Sequence, residues 1–99
     1  DEVTLPCYIS PKQSAVAMEI RWFKETDCIC VYRNGQVKKE QGYVGRVSLF
    51  THKLEEGNVS LMLKYFQKSG NFGVYRCEVT CGDEKVETSV YFSKGNLYK

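Results

Sequence analysis

Five cysteines are the most reactive side chains of the sequence, and their spacing admits several kinds of chemistry. Cys28 and Cys30 stand two positions apart in the segment DCICVYR, and Cys81 follows much later in the chain. Thiols at this spacing could hold a metal, form a redox pair, bond to another cysteine or fill a core. The choice among these depends on the fold around them.

Metal, redox and catalytic chemistry are weak hypotheses here. Zinc needs three or four converging ligands, and the single histidine, His52, is expected on a solvated loop out of reach of the thiols. A thioredoxin-type pair needs two intervening residues, whereas Cys28 and Cys30 have one between them. A nucleophile would have only His52 as its base, and the carboxylates are scattered. We therefore expect no metal, no cofactor, no catalytic residue and no enzyme.

The composition favours one β-rich domain outside the cell. The 99 residues are 42% hydrophobic and 13% aromatic, which excludes disorder and limits the chain to a single domain. The net charge is only +2 and the basic residues are dispersed, so the sequence shows no basic patch of the kind that binds nucleic acid. Five cysteines and the sequon Asn58-Val59-Ser60, a candidate for N-glycosylation, favour an oxidising extracellular compartment.

Short alternating segments predict about seven strands and no sustained helix. In AMEIRWFK, alternation places Trp22 inward and leaves Arg21 and Phe23 on the opposite face. Asn34-Gly35 is a typical two-residue hairpin turn. The predicted strands are EVTLPCYI, AMEIRWFK, CICVYR, GRVSLFT, NVSLMLKYF, GVYRCEVTC and KVETSVYF.

Four residues at characteristic spacing indicate the type of sandwich. Cys7 and Cys77 lie 70 positions apart, Trp22 follows the first by fifteen, and Tyr75 precedes the second by two. This is the immunoglobulin signature, in which a disulfide joins two sheets, a tryptophan packs on it and a tyrosine forms a corner. In the chain-entropy model, a bridge closing a loop of this length contributes roughly 4 kcal/mol.

The motifs EIRWFKE, VYRNGQ, GYVGRVSLF, EEGNVSLML and GVYRCEV resemble variable-type (V-set) immunoglobulin domains of the butyrophilin and myelin-oligodendrocyte-glycoprotein group, which is numerous in fish. The resemblance implies an all-β, Greek-key antiparallel sandwich over residues 1–93, with residues 94–99 as a tail or linker. It also implies a fish immune surface protein. The domain would be the ectodomain of a type I membrane protein, attached through a segment absent from this chain, or would be secreted.

The resemblance further implies binding through the G-F-C-C′ face, the outer side of the sheet formed by those strands. The expected partner is a protein counter-receptor on another cell, and homophilic adhesion or dimerisation is the alternative. A thiol-based metal or redox module is the least favoured function. Protein interfaces favour aromatic residues and arginine, and alternation predicts six exposed residues on this face: Arg21, Phe23, Tyr32, Arg76, Glu78 and Tyr91.

Three features depart from the V-set pattern. The segment between Trp22 and Tyr32 is shorter than in mammalian relatives, which predicts a tight C–C′ hairpin. Arg46 fits the arginine at the start of strand D, but Asn71 stands where the family places its aspartate partner. The ion pair would become a bond to a neutral group, about half as strong. The chain also begins at strand B, so strand A is largely missing. We expect either that upstream residues were trimmed or that another chain covers the exposed edge.

The three cysteines outside the signature remain open to several interpretations. Ile29 and Val31 suit the core, so alternation would place Cys28 and Cys30 on the outer face. A gap of about 9–10 Å across strand C would separate Cys30 from Cys81, beyond the roughly 7 Å that a disulfide tolerates. We favour free thiols. An intermolecular disulfide is the second choice, and an internal bridge is the least favoured.

Overall fold

Alternating apolar side chains form nine short strands in the part of the chain that the structure describes. A computed structural model describes residues 1–65 and 69–98, so the end of the predicted strand NVSLMLKYF lies outside it. The strands are β1 (Glu2–Leu5), β2 (Glu19–Lys24), β3 (Asp27–Arg33), β4 (Gln36–Lys39), β5 (Val47–Leu49), β6 (Leu61–Lys64), β7 (Gly73–Cys81), β8 (Glu84–Ser93) and β9 (Asn96–Tyr98).

The strands form two antiparallel sheets that enclose one core. The small sheet has the order β1-β6-β5, and the large sheet has the order β4-β3-β2-β7-β8-β9. In the lettering of the immunoglobulin fold these are B-E-D and C″-C′-C-F-G, with β9 as an addition beyond G. Three short 3-10 turns connect strands at Gln41–Tyr43, Thr51–Glu56 and Ser69–Asn71. The predicted all-β sandwich is confirmed.

The core lies where alternation predicts it on the central strands. Trp22 is 1% exposed, and its indole Nε1 donates a hydrogen bond of 2.9 Å to the carbonyl of Val59 on the small-sheet side. Leu61 and Leu63 on β6 face the same space and are fully buried. Burying apolar surface contributes about 25 cal/mol per Å², so this interior is the main stabilising feature of the fold.

Two tight hairpins extend the large sheet beyond the seven predicted strands. Asn34 and Gly35 join β3 to β4 with φ of 52° and 77°, the left-handed pair that such a turn requires. Lys94 and Gly95 join β8 to β9 with φ of 52° and 80°. Residues expected as a tail therefore pair with the large sheet and cover the end of the β8 edge that was expected to be bare.

A β-bulge interrupts the alternation of β3. Trp22 pairs with Cys30, but the next residue of β2, Phe23, pairs with Cys28, which leaves Ile29 as the extra residue. An extra residue in one strand shifts every later side chain of that strand to the other face. Ile29 and Cys30, although adjacent in sequence, are both buried.

The predicted outward placement of Cys30 and Tyr32 is therefore wrong. Tyr32 is 4% exposed and its hydroxyl donates a hydrogen bond of 2.7 Å to the carbonyl of Val16. Val31, expected in the core, is instead only partly buried, opposite Arg21. Simple alternation failed because it assumes an unbroken period of two, and the bulge breaks that period at Ile29.

The corner that leads into β7 contains the remaining signature residues. The hydroxyl of Tyr75 donates a hydrogen bond of 2.8 Å to the main-chain carbonyl of Asn71. Arg46 donates to the side-chain oxygen of Asn71 and lies 4.9 Å above the centre of the Tyr43 ring. The arginine thus meets a neutral acceptor where the family pattern has a carboxylate.

Replacing Tyr75 with phenylalanine should lower the free energy of unfolding by about 1–2 kcal/mol, because the buried hydrogen bond from the Tyr75 hydroxyl to the Asn71 carbonyl is lost. Urea unfolding followed by tryptophan fluorescence would measure this loss. Tyr98→Phe, at a half-exposed tyrosine, is the matched control and should leave stability unchanged. Equal effects of the two substitutions would contradict a special role for the corner.

Candidate functional site: a protein-binding face

The side of the large sheet that faces away from the core is called the outer face. Because Trp22 points inward, its neighbours Arg21 and Phe23 point outward on β2. Cys77 pairs with Trp22 and is fully buried, so Arg76 and Glu78 point outward on β7. With Tyr91 on β8, five of the six residues predicted for this face lie on it, and the sixth, Tyr32, is buried in the core.

One end of the outer face carries an exposed apolar row. Val74, Tyr91 and Tyr98 pair in register across β7, β8 and β9, and they are 40%, 46% and 51% exposed. The two tyrosine rings lie 6.0 Å apart between centroids. In the adjoining row, the guanidinium of Arg76 lies 4.3 Å above the centre of the Phe23 ring. The tyrosine, phenylalanine and arginine residues of this group are types that protein interfaces favour.

Sequence reasoning missed two members of the apolar row. Val74 stands two positions before Arg76 on β7, so alternation alone could have placed it on the outer face. Tyr98 belongs to β9, which was expected as a tail. The only sequence signal for that strand is Lys94-Gly95, a weak turn dipeptide.

The other end of the outer face is charged, and its charges are paired. Glu19 accepts from Arg21 at 2.6 Å and from Arg33 at 3.0 Å. The hydrogen bond from Arg21, reinforced by the charges of both arginines, lowers the pKa of the Glu19 carboxyl. Arg76 and Glu78 are 3.0 Å apart. The Glu78 side chain, predicted to be exposed, is only 13% exposed. The partly exposed pairs around Glu19 contribute little to stability, but they orient the charges that a partner would meet.

The three cysteines outside the signature do not converge. Cys30 is buried in the core, and Cys28 lies half-buried on the outer face opposite Phe23. Cys81 is exposed at the opposite end of the sheet, one position past the partner of Glu19. Within residues 1–65 and 69–98, no three histidine, cysteine or acidic side chains could hold a metal ion together.

Burial sets the chemistry of Cys30. It raises the pKa of the thiol to about 11, and the nearby charge of Lys39 offsets this only in part. Since the thiolate is the nucleophilic form, Cys30 is unreactive near neutral pH for electrostatic as well as steric reasons. If one of these three cysteines forms an intermolecular disulfide, it is therefore Cys28 or Cys81 and not Cys30.

Cys7 and Cys77 lie side by side between the sheets. All five cysteines are thiols in the structure, and the sulfur atoms of these two are within hydrogen-bonding reach of each other. That hydrogen bond and burial both raise the pKa of Cys77. The placement is the one that an inter-sheet disulfide needs, and the bond itself stays a prediction.

The sequon lies at the start of the small sheet. Asn58 is partly buried, and its side-chain oxygen accepts a 3.0 Å hydrogen bond from the amide of Ser60. Ser60 is buried, and its hydroxyl accepts from the amide of Cys7 at 3.0 Å. Glycosylation of Asn58 stays a prediction.

These features define an immunoglobulin domain of the variable type: two facing antiparallel sheets, a tryptophan buried between them, paired inward cysteines and a tyrosine corner. The family model described as the immunoglobulin V-set domain matches residues 1–98. The chain belongs to this V-set family, and its relatives are butyrophilins and myelin-oligodendrocyte glycoprotein. V-set domains of these proteins bind and do not catalyse, which agrees with the prediction that the chain is not an enzyme.

Three relatives illustrate the similarity. The chain is 38% identical to "Butyrophilin-like protein 1" of Mus musculus over 97 residues, covering 90% of this chain and 18% of that protein. It is 37% identical to human "Myelin-oligodendrocyte glycoprotein" over 81 residues, covering 73% of this chain and 32% of that protein. A crystal structure of bovine butyrophilin matches with a TM-score of 0.81 and 33% identity, covering 92% of this chain and 45% of that one.

The chain thus spans less than a third of the length of these two curated relatives. Among the residues that the structure describes, no helix is long and apolar enough to cross a membrane.

Near neutral pH, alkylation of the oxidised protein should label Cys81 quickly and Cys28 slowly in the folded state, and Cys30 only after denaturation. This order follows from exposure and from the raised pKa of Cys30. Native labelling of Cys30 should rise only as the pH approaches about 11, where its thiolate forms. Intact mass and peptide mapping without reduction would count three alkylated cysteines and leave Cys7 and Cys77 bonded.

Two results would contradict this assignment. Labelling of Cys7 or Cys77 in the unreduced, denatured protein would exclude the inter-sheet disulfide. Labelling of Cys30 as fast as Cys81 near neutral pH would exclude its burial behind the bulge.

Proposed function

We propose that the chain is an extracellular binding domain that recognises a protein counter-receptor on another cell through its outer face. The observation that carries this proposal is the apolar row of Val74, Tyr91 and Tyr98 beside the stacked pair of Phe23 and Arg76. Tyrosine and arginine are enriched at the energetic centres of protein interfaces. The use of this face also follows the family resemblance.

The apolar end and the charged end would have different roles in binding. Burial of tyrosine and phenylalanine rings releases ordered water and supplies most of the affinity. The paired charges around Glu19 and Glu78 would remain at the rim, where they select among partners and set the association rate more than the affinity. Binding should therefore depend strongly on the rings and weakly on salt.

The proposed location is the extracellular side of the plasma membrane, with attachment through a segment outside this chain, or secretion. The cysteines, the sequon at Asn58 and the V-set family support this location. Homophilic adhesion remains the second candidate for the same face. The scattered positions of Cys28, Cys30 and Cys81 do not support a thiol-based metal or redox function.

The test uses the chain as a biotinylated tetramer on a panel of cells from the source organism. Alanine at Phe23, or at both Tyr91 and Tyr98, should weaken staining at least about tenfold, since truncating a central residue of an interface typically costs more than 1 kcal/mol. Flow cytometry over a range of tetramer concentrations measures the loss.

Tyr8→Ala is the matched control, because Tyr8 is 63% exposed but lies outside the large sheet. Staining that survives alanine at Phe23, Tyr91 and Tyr98 would overturn the proposed face. Staining lost equally in the Tyr8 variant would place the contact elsewhere. Thermal unfolding of each variant confirms that the fold is intact.

A further inference from the structure

The solvent side of the small sheet carries an exposed tyrosine directly opposite the asparagine of the sequon. Tyr8 follows β1, Asn58 precedes β6, and the two residues form an isolated antiparallel bridge. Their neighbours Cys7 and Val59 are buried between the sheets, so alternation directs the Tyr8 and Asn58 side chains away from the core. Tyr8 is 63% exposed.

The main-chain hydrogen bonds around this bridge bring the two side chains close together. The amide of Ile9 donates to the carbonyl of Gly57 at 2.9 Å. On the other side, the amide of Val59 donates to the carbonyl of Cys7 at 2.9 Å. Because these bonds bracket the bridge, the tyrosine and the asparagine form a non-hydrogen-bonded pair. In such a pair the Cα atoms are about 4.5 Å apart, and the side chains are closer than in a hydrogen-bonded pair.

The side-chain nitrogen of Asn58 is the atom that a glycan would modify, and this is the single sequon of the chain. Among the described residues, Asn58 uses its side-chain oxygen, which accepts from the amide of Ser60 at 3.0 Å, and its nitrogen donates to none. The Ser60 hydroxyl is buried and bonded to the amide of Cys7. A sugar would therefore be attached before the small sheet closes.

A concavity beside Asn58 has the size and the lining for one sugar ring. Its volume is about 270 Å³, and its lining residues are Tyr8, Ile9, Lys12, Glu56 and Asn58. Proteins hold small organic groups in sites of about 300–1,000 Å³, so a first sugar fits but a whole glycan does not. Tyr8 and Ile9 supply apolar surface. Lys12 and Glu56 are exposed and supply a donor and an acceptor for polar groups of the sugar.

Main-chain contacts between two loops hold the walls of this concavity. Gly57 has a φ of 81°, and a Cβ added there would lie 2.6 Å from the main-chain oxygen of Gln13, so the two loops touch. The amide of Ala15 also donates a hydrogen bond of 2.8 Å to the carbonyl of Leu54. The concavity is thus formed in the folded domain, and a sugar that enters it has little protein to order.

We propose that Asn58 carries an N-linked glycan whose first N-acetylglucosamine packs on the Tyr8 ring in this concavity. The C–H face of the sugar covers aromatic surface that is otherwise exposed, and its polar groups reach Lys12 and Glu56. The first sugar is thereby a part of the folded domain and stabilises it.

This proposal rests on the proposed extracellular location and does not depend on the counter-receptor. A glycan held at Asn58 covers the solvent side of the small sheet. The outer face of the large sheet lies on the opposite side of the sandwich and stays uncovered.

Stability measurements on the chain with and without the sugar test the packing. The chain is secreted from mammalian cells behind an added signal sequence, with glycan processing held at the high-mannose stage. Endoglycosidase H then leaves a single N-acetylglucosamine at Asn58. The same sequence from the bacterial periplasm is the unglycosylated form. In the wild type the sugar should raise the Tm by about 4 °C, a shift typical of one weak contact in a domain of this size.

Three variants separate the ring contact from other effects. Tyr8→Ala should remove the gain in Tm, whereas Tyr8→Phe keeps the ring and should retain most of it. Val44→Ala, at an exposed apolar side chain outside all strands, is the matched control and should leave the gain unchanged. Comparing each variant with and without the sugar removes the effect of the substitution on the fold itself.

Proton NMR gives an independent readout of the same contact. Protons of the sugar should show upfield ring-current shifts in the wild type and in Tyr8→Phe. The shifts should be lost in Tyr8→Ala.

Secreted protein without a sugar at Asn58 overturns the proposal. A sugar that leaves the Tm unchanged, or that raises it equally in the wild type and in Tyr8→Ala, also overturns it. None of these readouts involves a counter-receptor. Failure of the proposed binding face in the staining experiment would therefore leave the glycan result standing, and failure here would leave the binding face standing.

Discussion

Burial of Trp22 between the sheets is the constraint on which the rest of the structure depends. Its indole reaches across the core to the carbonyl of Val59, so β2 can present only one set of side chains inward. Because Trp22 pairs with Cys77 on β7, Cys77 also faces inward, and its neighbours Arg76 and Glu78 face outward. The inward position of Trp22 thus determines which side chains of β2 and β7 lie on the outer face.

The alternation of side chains that forms the core also determines which residues lie on the outer face. On the outer face, alternation separates an apolar end at Tyr91 and Tyr98 from a charged end at Glu19 and Arg21, whose charges are mutually compensated. In the proposed association, the uncompensated apolar groups would supply most of the affinity.

Much of the fold was predictable because its signals are local or are set by spacing. The faces of β2 and β7, and the turn at Asn34-Gly35, follow from residues within a few positions of each other. Four features of the fold could not be predicted from local sequence signals. They are the strand pairing of residues 96–98, the strand formed by Gln36–Lys39, the bulge at Ile29 and the inward orientation of Tyr32. Each depends on a partner strand that supplies hydrogen bonds or space.

By itself, the sequence determined the two-sheet architecture, the buried positions of Trp22 and Cys77, and most of the residues of the outer face, because side-chain period and signature spacing are properties of the chain alone. Only the tertiary structure decided that Cys30 and Tyr32 belong to the core and that Tyr98 lies on the outer face. The reason is that a bulge or an added edge strand is selected by the neighbouring strand. A single extra residue in that pairing moves every following side chain to the other side of the sheet.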